Sequence, residues 1–332
     1  MPTGIRQTLC EMNKTRLYAS PLQGFTDYRF RNAFYEHFGG IDQYMAPYIR
    51  LKGNMEIKAS RQRDLLPENN HTPDLIPQVI TKDASEFLFV AEAVQKLGYT
   101  ELNWNLGCPY PMVAKRGMGS GLLSKPGIID EVLHIVSQES DMKVSVKMRL
   151  GYESADEIYN VLPVLEKYEL ANISIHPRIG KQLYKGEVDL NSFENCLKQS
   201  QHTLIYNGDI TSVRAFRKLK TRFNTIDHWM IGRGLIADPF LPSMIKADSL
   251  IYPGNRFETF KKFHDSLFSS YEEALSGTKH VLLRMLQFWE YFIRFFPSSP
   301  KGLKMIKKAN NYQSYHKAVQ HLCSSEAACN RA

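Results

Sequence analysis

Cysteine is scarce in this sequence. The 332 residues contain five cysteines, at positions 10, 108, 196, 323 and 329, and no two of them form a CxxC pair. This pattern excludes a fold held together by disulfides. There is no uncharged run of about 18 apolar residues that could cross a bilayer, and the first residues, MPTGIRQTLCEMNKTR, contain no apolar stretch typical of a signal peptide. We expect a soluble, reduced, cytoplasmic protein that does not associate with membranes.

Patterns that bind metals or dinucleotides are also missing. The sequence has no HExxH, no spacing of two cysteines with two histidines and no cluster of carboxylates, so we expect no metal site. No GxGxxG follows the first predicted strand, which disfavours a doubly wound dinucleotide-binding fold. Hydrophobic residues make up 43% and charged residues 23% of the chain. This composition is typical of globular proteins and excludes disordered, collagen-like and coiled-coil classes.

Positive charge is concentrated near the C-terminal end. The net charge is +8, and the part from residue 256 onward contains 12 Lys and Arg against 6 Asp and Glu. An asymmetry of this kind indicates a polyanionic partner such as nucleic acid. A solvated basic face that aids solubility is the alternative, and charge alone does not separate the two.

Short apolar runs of strand type alternate with helical patterns over the first 245 residues. The eight predicted strands are 17–21, 43–46, 75–80, 102–106, 144–149, 172–176, 203–207 and 228–232. Strands that are apolar throughout and separated by helices are typical of a parallel sheet buried on both faces. Eight such units predict an α/β fold of the TIM (β/α)₈ barrel type, with a doubly wound sheet as the alternative.

The pattern changes after residue 248. The sequence IYPGN is punctuated like a linker, and the chain beyond it is helical without strand signals. Segment 279–296 is expected to pack on the barrel, the PSSP at 297–300 to end that helix, and 301–308 to form a basic helix. We therefore predict two domains, a barrel at 1–248 and a smaller, all-helical, basic domain at 249–332.

Polar residues follow nearly every predicted strand at its carboxyl end, which is where TIM barrels carry their active sites. The groups are Ser20-Pro-Leu-Gln-Gly24, Gln78, Asn105-Leu-Gly-Cys-Pro109, Lys147-Met-Arg149, His176-Pro-Arg178, Asn207-Gly-Asp209 and Gly232-Arg-Gly234. A single polar group at a strand end is common in barrels of any function. A barrel without a functional site would not be expected to have polar groups at so many of its strand ends. The sequence therefore predicts a site at this face.

The last two of these groups resemble phosphate-binding loops. Glycines at the ends of the seventh and eighth strands allow the backbone to approach a bound group, and the following helix offers free N–H donors. Each loop alone is also compatible with ordinary turn chemistry. Together, on adjacent final strands, they indicate a phosphate site to which Arg233 could add a charge-assisted contact.

Two further residues at strand ends, Lys147 and His176, are expected to point into the mouth of the barrel. A single histidine is more often structural, but a lysine between Val146 and Met148 in a buried strand is costly without a partner. Two groups that can carry positive charge beside a phosphate site suit an anionic heterocycle such as reduced flavin.

Cys108 lies between Gly107 and Pro109 at the end of the fourth predicted strand. A free cysteine is usually a small buried hydrophobe. In a strand-end loop it has a second possible role, because an ordinary thiol, with a pKa of about 8.5, is mostly protonated at neutral pH and can donate a proton.

These blocks resemble the tRNA-dihydrouridine synthases of the bacterial type. ASPLQGFTDYRFR is similar to the family's opening signature and NLGCPYPMVAKRGMGSGLL to its active-site block. SVKMRLG, HPRIGKQLYKGEVD, YNGDI and MIGRG follow in the family's order and spacing. The match runs from about residue 18 to about 246, with a weaker likeness beyond it. Three departures are Asn103 in place of Asp, Ile179 in place of Thr, and Leu22-Gln23 in place of a Met–Glu pair.

The resemblance implies roles for individual residues. Cys108 matches the catalytic general acid, and Asn105 and Arg178 match groups that face the substrate base. Residues matching those around the flavin ring are Pro21, Leu22, Gln23, Gln78, Lys147 and His176. Residues matching the FMN phosphate cradle are Asn207, Gly208, Asp209, Gly232 and Arg233.

The implied activity is reduction of the C5–C6 double bond of uridines in tRNA. The resemblance implies FMN as cofactor, NADPH (or NADH) as reductant, hydride transfer to uracil C6 and protonation of C5 by Cys108. We expect a monomer whose helical domain and the loop 50–63, with five Lys and Arg, hold RNA phosphates. The alternatives are an FMN barrel oxidoreductase acting on a small molecule and an RNA-binding protein without catalytic activity.

Overall fold

The computed structural model describes residues 15–51, 53, 55–296 and 301–329. Three features named above lie outside these ranges: the N-terminal segment with Cys10, Lys52 of the basic loop, and the PSSP expected to end a helix.

The first part of the chain forms a ring of parallel strands. The strands are β1 Arg16–Ala19, β2 Gln43–Met45, β3 Leu75–Ile76, β4 Gln78–Val79, β5 Glu101–Leu106, β6 Lys143–Gly151, β7 Ile173–Ile179, β8 Leu204–Tyr206 and β9 His228–Ile231. Their order in the sheet is β3-β2-β1-β9-β8-β7-β6-β5-β4, and every pair is parallel. All eight predicted strands are present.

The ring closes through the third predicted strand, which is split by Pro77. Its first half, β3, pairs with β2, and its second half, β4, pairs with β5. Proline has no N–H to donate to a ladder, but the Pro77 carbonyl accepts from the Asn103 N–H at 2.9 Å. The two end strands of the sheet are thus separated in the chain by Pro77 alone, and the predicted TIM barrel is confirmed.

Side chains alternate along the strands that form one half of the ring. Trp104 and Leu106 of β5 pack outward into the main hydrophobic core, whereas Asn103 and Asn105 hydrogen-bond inside the barrel to Gln78. Strand β6 does the same, with Ser145 and Lys147 in register with the two asparagines. The expectation that the strands are apolar throughout was wrong here, because the barrel interior in this half is polar.

Helices surround the ring and continue beyond it. Those of the barrel are α1 Tyr28–His37, α2 Ala59–Leu65, α3 Ala84–Gln95, α4 Pro111–Ala114, α5 Pro126–Glu139, α6 Ile158–Leu165, α7 Leu190–Gln199, α8 Val213–Arg222, α9 Arg233–Ala237 and α10 Leu241–Lys246. The C-terminal helices are α11 Arg256–Ala274, α12 Thr278–Phe292, α13 Gly302–Lys308 and α14 Tyr312–Cys329. Within the described ranges, no helix is both long and apolar enough to cross a membrane.

The C-terminal helices pack on the barrel at α1 and at the loop after β1. Phe288 of α12 stacks on Phe30 of α1, with 5.7 Å between ring centroids, and meets Phe25 edge-on at 5.5 Å. Arg284 of α12 donates to the Gly24 carbonyl, and the Tyr271 hydroxyl donates to the Asp27 carboxylate at 2.7 Å. The hydrophobic core is continuous across the predicted boundary at 248/249, so that division stays a prediction.

Candidate active site

Two adjoining cavities open at the carboxyl ends of the barrel strands. The larger, about 590 Å³, lies over the ends of β7, β8 and β9, and the smaller, about 150 Å³, lies beside Cys108. The residues that line both are Pro21, Leu22, Lys147, His176, Tyr184 and Arg233.

The structure brings thirteen of the fourteen site residues predicted from sequence to these two cavities. Five of them line both cavities. Gln23, Asn105 and Cys108 line only the smaller cavity, and five more residues line only the larger one. Those five are Arg178, Asn207, Gly208, Asp209 and Gly232. Gln78 lines neither cavity, because its side chain lies beneath the floor and is 1% exposed.

A single carboxylate organises the larger cavity. Oδ1 of Asp209 accepts from Nη2 of Arg233 at 2.9 Å and from Nη1 of Arg178 at 3.1 Å. The Asp209 backbone has φ +42, in the left-handed region that aspartate tolerates better than most residues. The strand ends of β7, β8 and β9 are therefore joined by two ion pairs that share one carboxylate.

The glycines of the two loops have different tasks. A Cβ at Gly234 would lie 2.1 Å from the Ile210 carbonyl oxygen, so this glycine lets the two loops pack together. Gly208 is also closely packed, with the Tyr206 hydroxyl 3.0 Å from a built Cβ. A Cβ at Gly232 would make only ordinary van der Waals contacts, the nearest to Ser20 at 3.5 Å, and Gly232 lines the cavity. Close approach of a ligand to the backbone is thus best supported at Gly232.

His176 and Arg178 form a buried pair on β7. Nη1 of Arg178 lies 3.0 Å from Nε2 of His176. A guanidinium can only donate, so Nε2 accepts and the imidazole proton sits on Nδ1. Burial, together with the nearby cations Arg149 and Lys147, lowers the pKa of His176 well below its usual value. His176 is therefore neutral at physiological pH.

Lys147 is positioned by Asn207. Nζ of Lys147 donates to Oδ1 of Asn207 at 2.7 Å, and Nδ2 of Asn207 donates to the Met230 carbonyl at 2.9 Å. Burial, and after it repulsion from Arg149, lower the pKa of Lys147 to about 7. Near neutral pH the amine can hold or release a proton, and it faces both cavities.

A chain of buried side-chain amides holds the Cys108 loop. Oδ1 of Asn105 accepts from the N–H groups of Gly107 and Cys108 at 3.0 and 2.8 Å. Nδ2 of Asn105 donates to Oε1 of Gln78 at 2.8 Å, and Nε2 of Gln78 donates to Oδ1 of Asn103 at 2.7 Å. Gln78 therefore supports Asn105, and Asn105 supports the backbone of Cys108.

The loop is also held from behind by residues 119 and 120. The Ser120 N–H and its hydroxyl both donate to the Cys108 carbonyl at 3.0 Å. Gly119 has φ +57, and a Cβ there would lie 2.7 Å from the same carbonyl oxygen and 2.9 Å from the Cys108 Cβ. Only glycine fits this position without displacing Cys108.

Sequence reasoning missed several residues that line the cavities. Tyr184 lies between them, with the Arg233 guanidinium 4.3 Å and the Arg149 guanidinium 5.2 Å from its ring centre. Tyr291, Arg294 and Arg256 reach the cavities from the C-terminal helices. Tyr184 lies within the quoted HPRIGKQLYKGEVD block and could have been singled out, but no local pattern marks the three helical residues.

The smaller cavity is electrically one-sided. Lys147, Arg149 and Arg233 line it together with His176, and no carboxylate is among its described lining residues. Over the described part of the chain, no group of three or more His, Cys, Asp or Glu residues could hold a metal ion. The arrangement suits an anionic organic ligand that extends from one cavity into the other, with a thiol at its end.

The fold and the cavities are those of a parallel (β/α)₈ barrel with polar and charged groups at the carboxyl ends of its strands, the face at which enzymes of this fold carry their active sites. The model of the family described as "Dihydrouridine synthase (Dus)" matches residues 17–327. The chain belongs to the dihydrouridine synthase family and is an oxidoreductase, as the resemblance predicted.

Curated relatives carry the same family name. The chain is 27% identical over 277 residues, 79% of this chain and 80% of the relative, to a "Probable tRNA-dihydrouridine synthase" of Staphylococcus aureus. It is 28% identical over 246 residues to a "Probable tRNA-dihydrouridine synthase 2" of Bacillus subtilis, covering 69% and 72% of the two chains. For "tRNA-dihydrouridine synthase B" of Pasteurella multocida the identity is 25%, over 72% of each chain.

Among solved structures the similarity is one of fold. Morphinone reductase in complex with tetrahydroNAD matches with a TM-score of 0.52 at 10% identity, over 74% of this chain and 90% of that one. The old yellow enzyme from Trypanosoma cruzi matches with a TM-score of 0.51 at 11% identity, over 76% and 93%. Both comparisons support the barrel assignment.

The lowered pKa of Lys147 predicts a pH-dependent stability of the ligand-free protein. The folded pKa is about 7 and the ordinary value is 10.5, so between these values the unfolded chain binds more protons and the wild-type free energy of unfolding gains from rising pH. Lys147→Met removes this contribution. The free energy of unfolding of the variant should exceed that of the wild type by the largest amount at pH 7 and below. This difference in free energy should shrink as the pH rises toward 10.5.

Urea unfolding at a series of pH values measures this difference. Lys143→Met, an exposed position at the other end of β6, serves as the control and should lack the pH-dependent part. A difference for Lys147→Met that is constant with pH contradicts the assignment of a neutral-pH amine to this site.

Proposed function

We propose that the protein reduces the C5–C6 double bond of uridines in tRNA to 5,6-dihydrouridine, with FMN as cofactor and NADPH (or NADH) as reductant. The observation that carries the proposal is the position of Cys108, 9% exposed in a cavity that shares six lining residues with an anion-binding cavity. Family membership and the names of the curated relatives support it.

The cavity residues fit FMN. The larger cavity has a cationic end at Arg233 and is lined by Gly208 and Gly232, which expose backbone without a side chain. The shared residues Lys147 and His176 and the first strand-end loop would hold the ring. When bound, the reduced flavin supplies the hydride.

The chain's own residues then supply the proton and the orientation. Cys108 would donate its proton to C5 of the base, and Asn105, which lines the same cavity, would contact the base. Arg178 lines only the larger cavity and is bound to Asp209, which supports a role on the cofactor side. Lys147, facing both cavities, would stabilise negative charge on the ring or on the base oxygen.

Two basic surfaces are available for RNA phosphates. One is helix α13, where Lys301, Lys304, Lys307 and Lys308 are exposed, Lys307 being paired with Glu290 at 2.8 Å. The other is a groove of about 1130 Å³ on the barrel that borders Tyr48 and Gln23. Its basic residues are Arg50, Lys58, Arg61, Lys82, Lys115, Arg116 and Lys125. Phosphate contacts there would offset the few kcal/mol, roughly, needed to extrude a stacked base.

Arg233→Ala should weaken FMN retention. The guanidinium is expected to contact the phosphate, and a charge-assisted hydrogen bond of this kind contributes about 1.5–3 kcal/mol. The dissociation constant of FMN, measured by fluorescence after flavin removal, should therefore rise at least tenfold. Arg217→Ala, on the surface of α8 and paired with Asp248, is the matched control. Full flavin occupancy of Arg233→Ala after long dialysis would place the cradle elsewhere.

Cys108→Ala should fold, bind FMN and be reduced by NADPH, because the thiol is assigned to neither ring nor phosphate. It should lose most uridine reduction, since a positioned general acid contributes about 10²–10⁴-fold. The measurement is single-turnover reoxidation of reduced enzyme by unmodified tRNA, with dihydrouridine quantified in the product. Cys196→Ala, a buried cysteine of α7, is the control. Near-wild-type turnover by Cys108→Ala means that the proton has another source.

RNA affinity should fall steeply with salt, with a log–log slope of about −0.7 to −0.9 per phosphate contact. We expect this slope to be smaller when Lys301, Lys304, Lys307 and Lys308 are all changed to Gln. We expect the same when Lys82, Lys115 and Lys125 of the groove are changed to Gln. NADPH oxidation by the free flavoprotein should stay intact in both sets.

The control set is Lys96, Lys143 and Lys198. Lys96 and Lys198 lie at the C-terminal ends of α3 and α7, and Lys143 begins β6. Barrel helices run opposite to the strands, so these lysines are at the far face from the cavities. A slope that changes equally in control and groove sets would remove the groove from the interface.

A further inference from the structure

Tyr48 lies between Cys108 and the basic groove. It follows β2 in the loop that leads to Arg50, and it lines both the smaller cavity and the groove. Its hydroxyl oxygen is 3.8 Å from Sγ of Cys108. Within the described ranges, this is the side-chain hydrogen-bond partner that the structure gives the thiol.

We propose that the Tyr48 hydroxyl is the positioning residue that returns a proton from the groove to Cys108 after each turnover. The proposal rests on the proposed function, in which Cys108 gives its proton to C5 of the base and is left as a thiolate.

The thiol lies between a group of apolar side chains and the smaller cavity. Cys108 belongs to a small apolar cluster with Ile80, Val113 and Met118, against which the Tyr48 ring packs. Its backbone is held by Asn105 in front and by Ser120 behind, so the loop is tied in place. Tyr48 lines both the smaller cavity and the groove, so its hydroxyl is a polar group between the groove and the thiol.

Several titratable groups lie close to Cys108 and Tyr48. Lys147 and Arg149 of β6 and Tyr184 act electrostatically on Cys108, and Arg50 and Arg61 act on Tyr48. Guanidinium groups do not release protons near neutral pH. The Lys147 amine is the competing donor: it gives one of its three N–H groups to Asn207, and within the described ranges the hydrogen bond of Sγ is to Tyr48, with none to this Nζ.

The transfer balances without any redox change. In the resting state the thiol S–H donates to the tyrosine oxygen, as the structure shows. After protonation of the base, the O–H bond of Tyr48 breaks as a new S–H bond forms, and the oxygen takes a proton from hydronium or water in the groove. Burial raises the pKa of Tyr48 above its usual range, so the hydroxyl is protonated and available at neutral pH.

The test compares Tyr48→Phe with Tyr110→Phe in the FMN-loaded protein. Both variants lose one phenolic oxygen, and Tyr110, two residues from Cys108, is 63% exposed. The first measurement is the pH dependence of Cys108 alkylation by iodoacetamide, followed by mass spectrometry. A hydroxyl that donates to the thiolate favours it, so its loss should move the midpoint of Tyr48→Phe upward by about one pH unit, a tenfold change in thiolate fraction.

The second measurement separates first from later turnovers on unmodified tRNA. Tyr48→Phe should reduce the first uridine at the wild-type rate and slow several-fold in the following cycles at high pH, with recovery at low pH. An alkylation midpoint equal to that of Tyr110→Phe overturns the proposal, as does a shifted midpoint with unslowed later turnovers. Failure of the proposed function gives a different result: if Cys108 is not the general acid, Cys108→Ala keeps full activity.

Discussion

The interior of one half of the barrel is polar and buried, and its hydrogen bonds determine where the reactive groups lie. An unpartnered amide in such a place costs free energy of a few kcal/mol, roughly, so each must find a partner. Asn103, Gln78 and Asn105 meet this requirement by bonding to one another in sequence, and the last of them ends on the N–H of Cys108. The hydrogen bonds that satisfy the buried amides are therefore the same ones that position the Cys108 thiol.

The two cavities differ in how their charges are compensated. In the larger one, Asp209 neutralises part of the charge of Arg178 and Arg233 and fixes their directions. In the smaller one, no carboxylate lies beside Lys147 and Arg149 among the described lining residues. Burial and repulsion from Arg149 lower the pKa of Lys147 to about 7. A rigid anion-binding end therefore adjoins an end that can exchange protons near neutral pH.

The strand order, the strand-end residues and Cys108 could be predicted because each depends on local sequence. Gln78 shows the limit: its place at a strand end predicts a cavity residue, but Pro77 splits the strand and Asn103 and Asn105 take both ends of its amide. Gly234 was expected to serve a ligand and is closest to Ile210. The contribution of Tyr291, distant in the sequence, follows from packing that no motif records.

The loop after β1 is held by the C-terminal helices as well as by the barrel. Arg284 and Tyr271 bind its backbone and the Asp27 carboxylate, while Pro21 and Leu22 of the same loop line both cavities. The C-terminal helices are therefore in direct contact with the loop that lines the cavities. Because so few residues separate these contacts from Pro21 and Leu22, a displacement of α12 would also move the wall of both cavities.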